Sequence, residues 1–245
     1  MKNVNLSNAL GIDTVLFDLD GTILPLDGDD FERAYLTSIT QKVAHIIEPE
    51  LMAKALWKSS AAMIQNQDEL KTNEQVFYAC FESLVGSEIK HEIDTILDDY
   101  YENEYNIVET VTSISPPMVE TVRYLKEKGY KVILATNPLF PKLATDKRIW
   151  WSGLELDDFD DITRFEKNHH CKPNPMYYEE IIRDNMLDPK KCLMIGNDVE
   201  EDMMTSQFGM QTWLLTDNLI HRGSDYQCDW SGSRRDLLKK IKELF

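Results

Sequence analysis

The stretch Thr14-Val-Leu-Phe-Asp18-Leu-Asp20-Gly-Thr-Ile23 decides the fold. A short β-branched and aromatic run passes directly into a polar turn, the pattern of a buried strand that ends in a tight loop. Three later runs repeat it: Lys131-Val-Ile-Leu-Ala-Thr136, Lys191-Cys-Leu-Met-Ile-Gly196 and Gln211-Thr-Trp-Leu-Leu-Thr216. Between them the apolar period becomes helical. Pro116-Pro117 leads into Val119, Val122 and Leu125, and Gly129 is placed to end that helix. Asn174-Pro175 opens a second, with Tyr178, Ile181, Ile182 and Met186 on one stripe, and a third is expected from about Val199 to Gly209. After a Ser231-Gly-Ser linker, Leu237, Leu238, Ile241, Leu244 and Phe245 share one face of a last helix. Strands alternating with helices predict an α/β fold, a doubly wound parallel sheet covered on both faces.

From 29 to 111 the alternation stops, and only helical patterns remain. Phe31, Ala34, Tyr35, Ile39 and Val43 fit one amphipathic helix; Pro49 suits the first turn of another; Thr72-x-x-Gln75 is a capping box for a third; a fourth is expected from Glu88 to Tyr105. The expected division is a helical insertion at 29–111 within a catalytic core made of 1–28 and 112–245. The acidic cluster at 157–161 reads as a solvated loop and strand end.

The 245 residues allow one large domain with an insertion or two modest ones. The polar start of the chain, from Met1 to Asn8, lacks the apolar run of a secretory signal, so a cytoplasmic location is expected. No segment approaches the ~18 consecutive apolar residues of a membrane span. Four scattered cysteines form no Cys-x-x-Cys pair and read as reduced thiols. A formal net charge of −17 argues against nucleic acid or an anionic membrane as partner, since both need clustered cations, and favours a small ligand.

In an open parallel sheet, ligands bind beyond the carboxyl ends of the strands, so the residues that follow each strand converge. Here these are Asp18 and Asp20, then Thr136 and Asn137, then Lys172 ahead of a helix, then Asn197, Asp198 and Asp202. The set suits phosphoryl transfer. Asp18 is placed as a carboxylate nucleophile and Asp20 as the acid that protonates the leaving oxygen and then serves as base. Thr136, Asn137 and Lys172 are expected to hold the phosphate, the last helped by the helix N-terminus at Asn174-Pro175. Crowded carboxylates beside a phosphate require a cation. Asp18, the Asp20 backbone carbonyl and Asp198 make an oxygen-lined site suited to Mg2+, and Asp198 is preferred over neutral Asn197 as ligand. Asn197 and Asp202 then stand behind the metal and Lys172. Gly21 in fourth place does not fit a calcium loop, and the adjacent His169 and His170 lack a second ligand pair.

Asp18-Leu-Asp-Gly-Thr-Ile, Ala135-Thr-Asn, Cys171-Lys-Pro-Asn-Pro and Gly196-Asn-Asp-Val-Glu-Glu-Asp resemble, in order, the four motifs of the haloacid dehalogenase superfamily. The likeness spans Asp18 to Asp202. It implies a Rossmann-like core, an aspartyl-phosphate mechanism and Mg2+ dependence, and makes the helical insertion similar to that superfamily's cap. The resulting expectation is a Mg2+-dependent phosphatase acting on a small phosphorylated metabolite. Within the superfamily, a phosphomutase shares all these parts. A phosphonate-cleaving enzyme would need a Schiff-base lysine such as Lys54 or Lys58. Dehalogenation would leave Asp20 without a purpose. Outside enzymes, the alternative is a binder of a phosphorylated ligand. The cap carries no recognised specificity sequence, and its Tyr100, Tyr101 and Tyr105 are open between lining the site and packing helices.

Overall fold

The computed structural model describes residues 10–245, so the chain start from Met1 to Asn8 lies outside the described residues. Six parallel strands form one sheet: β1 (Thr14–Phe17), β2 (Lys131–Leu134), β3 (Asp161–Ile162), β4 (Cys192–Gly196), β5 (Gln211–Leu215) and β6 (Trp230–Gly232). Their spatial order is β3-β2-β1-β4-β5-β6. The chain builds outward from β1 through β2 to β3, then returns to place β4 on the other side of β1. That reversal puts a topological switch point between β1 and β4, where the loops leaving the two strand ends diverge and open a crevice. Phe17 lies opposite Ile195 in the ladder, and the Asp18 amide donates to the Ile195 carbonyl at 3.0 Å.

Alternate strand residues serve the two faces, as the two-residue period of a strand requires. Val15, Phe17, Val132, Leu134, Leu193 and Ile195 pack with helices α5 (Pro116–Glu127) and α8 (Arg234–Leu244). Leu16, Ile133 and Met194 pack with Tyr177, Tyr178 and Ile181 of α7 (Pro175–Asn185). All four residues of β1 and all five of β4 are buried, which is why they read as unbroken apolar runs. Helix α6 (Lys142–Trp151) follows β2 and carries Trp151 inward, where it stacks on Tyr105 at 5.3 Å. Trp150 is turned outward.

The insertion forms helices α1 (Gly28–Lys42), α2 (Pro49–Ile64), α3 (Asn73–Val85) and α4 (Ser87–Glu102), then a 3-10 segment, Glu104–Val111. No strand falls inside it; the nearest pairing is the isolated bridge of Leu26 with Thr112 at its two ends. Pro49 is in the first turn of α2, and the Thr72–Gln75 capping box opens α3 as its spacing requires. Tyr100, Tyr101 and Tyr105 are buried in a ring cluster and pack helices. Contacts tie the insertion to the loop that precedes Lys172: the Asn73 amide donates to Asn168 O at 2.8 Å, its side chain to His170 O at 3.2 Å, and Asn66 Nδ2 to His169 O at 3.0 Å.

Two sequence expectations are corrected. The segment expected as a helix from Val199 to Gly209 is a set of turns followed by a short 3-10 stretch, Met203–Phe208. The physical reason is side-chain competition. Asp198 Oδ1 takes the amides of Glu200 and Glu201, both at 2.9 Å, and Asp202 Oδ2 reaches back to the Asp198 amide at 3.0 Å. The Ser231-Gly-Ser linker belongs instead mostly to the edge strand β6, where Trp230 packs on Trp213 and leaves no room for a Cβ at Gly232. Among the described residues no helix is long and apolar enough to cross a membrane, and all four cysteines are free thiols.

Candidate active site

β1 delivers Asp18 to the switch point, and the loop after it is held in a tight left-handed turn at Gly21, φ +83°. A side chain there would collide with Asn197, so glycine is needed both for the conformation and for the close approach. Lys172 is fully buried and donates to Asp18 Oδ1 at 2.9 Å and to Asp202 Oδ1 at 2.7 Å. Gly196 lets Asp202 come this near, because a Cβ at Gly196 would overlap the carboxylate.

One ammonium shared by two buried carboxylates leaves a net negative charge that burial opposes. Burial accordingly raises Asp18 above the usual carboxylate range, against the pull of Lys172, and pushes Asp202 to about 6 for the same reason. For Lys172, burial works against the charge, but the facing carboxylates hold the ammonium protonated well above its ordinary value.

Asp20 meets a partner that the sequence reading did not single out. Arg148 on α6, 1% exposed, donates Nη1 to Asp20 Oδ2. Its Nε reaches Ala144 O and its Nη2 Thr145 Oγ1, both at 3.3 Å, and its guanidinium carbon lies 4.7 Å from the centre of the Phe140 ring and 5.7 Å from that of Phe31. A guanidinium tolerates such a slot because it is planar and weakly hydrated. The other Asp20 oxygen, Oδ1, is closed to solvent and has no hydrogen-bond partner. Burial raises the Asp20 carboxyl, opposed by Arg148 and Lys172.

The remaining residues brace the site. Asn137 accepts from the Lys172 amide at 3.2 Å and donates to Lys172 O at 3.4 Å and to Glu201 Oε2 at 3.2 Å, so its amide clasps the lysine backbone. Thr136 is buried beside it, its carbonyl taken by Thr163 Oγ1 at 2.6 Å and Tyr177 Oη at 2.8 Å. Asn197 accepts from Thr22 Oγ1 at 2.8 Å and donates to Asn218 O at 2.6 Å. Both ends of its amide are engaged away from Asp18. Arg234, at the start of α8, reaches the carbonyls of Gly21 and Thr22, the latter at 2.7 Å, and pins the loop after β1 from 212 residues away. Asp198 accepts from Arg222 Nη1 at 2.8 Å. The structure thus joins Asp18, Lys172 and Asp202 directly and adds Asn137 through the Lys172 backbone, while the Asp198 and Asn197 side chains turn to other partners.

His169 pairs with Glu180 at 2.8 Å, and both ring nitrogens of His170 are buried without a hydrogen-bond partner. Among the described residues no three His, Cys, Asp or Glu side chains converge as a metal cluster. Lys54 and Lys58 are exposed on α2, and no hydrogen bond or ion pair joins either to Asp18, Asp20 or Lys172.

Glu201 was also missed, since its neighbours in sequence are all acidic or apolar. Burial pushes its carboxyl up to about 7, opposed by Lys172 and reinforced by Asp198 and Asp202. Its ordinary value is 4.5, so the folded chain binds an extra proton between the two values. Stability is therefore full below pH 4.5 and falls as the pH rises through 7. Glu201→Gln carries no charge to bury and is expected to exceed wild type at pH 8 by roughly 1–2 kcal/mol, with no gain at pH 4. Urea unfolding at both pH values in EDTA reads this; an equal gain at both would mean that the charge is not what burial opposes.

The fold and the site define a class: a doubly wound α/β protein with its cluster of ionisable groups at the switch point of the sheet, where enzymes of this architecture bind their ligands. The family model of the haloacid dehalogenase-like hydrolases matches residues 12–207, and the chain belongs to that family of enzymes. It is 24% identical over 202 residues to the pyrophosphatase PpaX of Bacillus cereus (strain G9842), covering 82% of each chain. It is 22% identical over 213 residues to the phosphoglycolate phosphatase of Vibrio vulnificus (strain YJ016), covering 86% of each. Among solved structures, the 2-haloacid dehalogenase of Pseudomonas syringae pv. Tomato DC3000 superposes with a TM-score of 0.65 at 18% identity, over 95% of this chain and 98% of that one. Phosphatases and dehalogenases share this fold, so the side chains must choose between them.

Proposed function

We propose that the chain is a Mg2+-dependent phosphatase that hydrolyses a small organic phosphate monoester through a phosphoryl group carried on Asp18. The observation that carries the reading is the buried Asp18–Lys172–Asp202 set with Asp20 two residues beyond the nucleophile. The names of the two relatives, a pyrophosphatase and a phosphoglycolate phosphatase, agree with it.

In the first step an Asp18 oxygen bonds to phosphorus, the bond from phosphorus to the ester oxygen breaks, and that oxygen leaves with a proton from Asp20. In the second, water attacks phosphorus while Asp20 accepts its proton; the bond to Asp18 breaks and inorganic phosphate departs. Lys172 and the Thr136 hydroxyl hold phosphoryl oxygens, and Asn137 keeps Lys172 in place through its backbone. Arg148 fixes one Asp20 oxygen, and the unpartnered Oδ1, closed to solvent in this structure, is the one to exchange the proton once the site opens to substrate. Helices at 29–111 act as the cap over a core made of 1–28 and 112–245, a division favoured by the hydrogen bonds from Asn66 and Asn73 to the loop before Lys172.

The donor chemistry suits a hard cation. Asp18, the Asp20 carbonyl and Asp198 offer oxygens only, two of them from carboxylates, and the orphaned Asp20 Oδ1 marks unmet polar demand in the same loop. Bound there, Mg2+ would neutralise charge on the phosphoryl oxygens. Asn197 is the poorer candidate because it is neutral, whereas Asp198, although it also accepts from Arg222, brings an anionic oxygen. Asp198→Asn is expected to raise the Mg2+ concentration for half-activation at least ~10-fold, whereas Asn197→Ala lowers stability and moves that concentration less than ~3-fold. The reverse pattern would transfer the metal to Asn197.

Dehalogenation is disfavoured because it gives no task to an acid held as Asp20 is. The phosphonate route is disfavoured by the exposure of Lys54 and Lys58. Release of phosphate from a panel of esters, with Mg2+ and with EDTA, tests the proposal; a folded protein that binds esters and releases none in either condition would be a binder.

A further inference from the structure

At the junction of insertion and core lies a cavity of about 260 Å³. Its walls come from Phe31 and Tyr35 of α1, Leu56 and Trp57 of α2, and Phe140 of the loop after β2. Trp57 is 54% exposed although its helix buries Met52, Ala55, Leu56, Ser59 and Met63 on its other side. Packing of the insertion therefore does not account for this indole. It stands as a large rigid apolar surface turned toward a space, the arrangement seen where a ligand completes the contact.

The cavity is linked to the reactive groups through the segments that wall it. Both segments that floor it follow the proposed catalytic loops: α1 begins at Gly28, four residues after Leu24, and Phe140 lies four residues after Thr136. The rings of Phe31 and Phe140 line the cavity and also flank the Arg148 guanidinium, which holds Asp20. Asp20, which would protonate the leaving alcohol, is thus joined to the cavity wall through Arg148 and these two rings.

Charge narrows what enters. Among the described lining residues there is no Lys, Arg or His, and the one carboxylate is Glu32. Arg148, the cation behind the rings, is already engaged by Asp20. A leaving group bearing a second phosphate or a carboxylate would meet Glu32 and no counter-charge, whereas an apolar ring would bury surface against aromatic walls. The size is adequate, since ~150 Å³ suffices for benzene in an apolar cavity.

We propose that this cavity receives the organic part of the substrate, and that the preferred substrate class is the phosphate ester of an apolar, ring-sized alcohol. It rests on the phosphatase reading above and sets this chain apart from enzymes whose leaving groups are anionic.

The test compares kcat/KM for phenethyl phosphate, phosphoglycolate and pyrophosphate in the wild type, Trp57→Ala and Glu32→Lys, and measures calorimetrically the binding of phenethylphosphonate and methylphosphonate, which are not hydrolysed. Expected are a preference for phenethyl phosphate of at least ~10-fold and a matching ~10-fold tighter binding of phenethylphosphonate. Trp57→Ala is expected to remove most of both, and Glu32→Lys to shift the preference at least ~5-fold toward phosphoglycolate. Preference for either anionic substrate in the wild type, or ratios that neither variant moves, overturns the assignment. If no ester is hydrolysed while phenethylphosphonate still binds through Trp57, the cavity assignment stands and the phosphatase reading falls.

Discussion

Asp18→Asn is expected to lower phosphate release at least ~1000-fold while the chain stays folded. The amide has nearly the carboxylate's shape, and its oxygen can still accept from Lys172 Nζ, which lies 2.9 Å from Asp18 Oδ1. What it lacks is the nucleophilic charge. The same change relieves the surplus of negative charge around Lys172, because two buried carboxylates facing one ammonium become one. The thermal midpoint is therefore expected to hold or rise even as turnover is lost, the trade of stability against activity found at functional sites. Circular dichroism melts and single-turnover phosphate release on the same preparation read both effects. A folded variant that keeps a tenth of wild-type turnover would remove Asp18 from the mechanism.

The second large effect is expected at Arg148. Arg148→Met fills the space beside Phe31 and Phe140 with an apolar chain of similar length but leaves the Asp20 carboxylate without its partner. Removing one member of a buried ion pair costs about 3–5 kcal/mol, and since Asp20 is half-buried about 2–3 kcal/mol is expected here. Turnover of alkyl phosphates is expected to fall ~100-fold, with little change in KM, because Asp20 is no longer held with one oxygen free for the leaving group. An aryl phosphate such as p-nitrophenyl phosphate, whose leaving oxygen needs no proton, is expected to lose much less. In the double variant Arg148→Met/Asp20→Asn, stability returns and activity does not. Equal losses on alkyl and aryl esters would reduce Arg148 to a packing role.

The six parallel strands show why much of this was legible in the linear chain. β1, β2, β4 and β5 are runs whose apolar character comes from burial on both faces, and strand burial leaves a local, readable signature. β3 and β6 escaped because two or three residues at a sheet edge carry too little pattern. The loop from Val199 to Asp202 read as helix because its composition suits one; the carboxylates of Asp198 and Asp202 instead took backbone amides for themselves.

By itself the sequence determined the doubly wound sheet, the helical character of the stretch between β1 and β2, and the positions after each strand where Asp18, Asp20, Thr136, Lys172 and Asp202 stand. These follow from periodicities of two and 3.6 residues and from turn chemistry, all set within a few residues of chain. Tertiary structure alone decided the partners: Arg148 for Asp20 across 128 residues, Arg234 for the carbonyls of Gly21 and Thr22, Arg222 for Asp198, and Thr22 for Asn197. No local rule selects among the chain's arginines. A buried carboxylate or carbonyl needs a donor because desolvation penalises it otherwise, and which donor arrives depends on the elements that the sheet's reversal brings together.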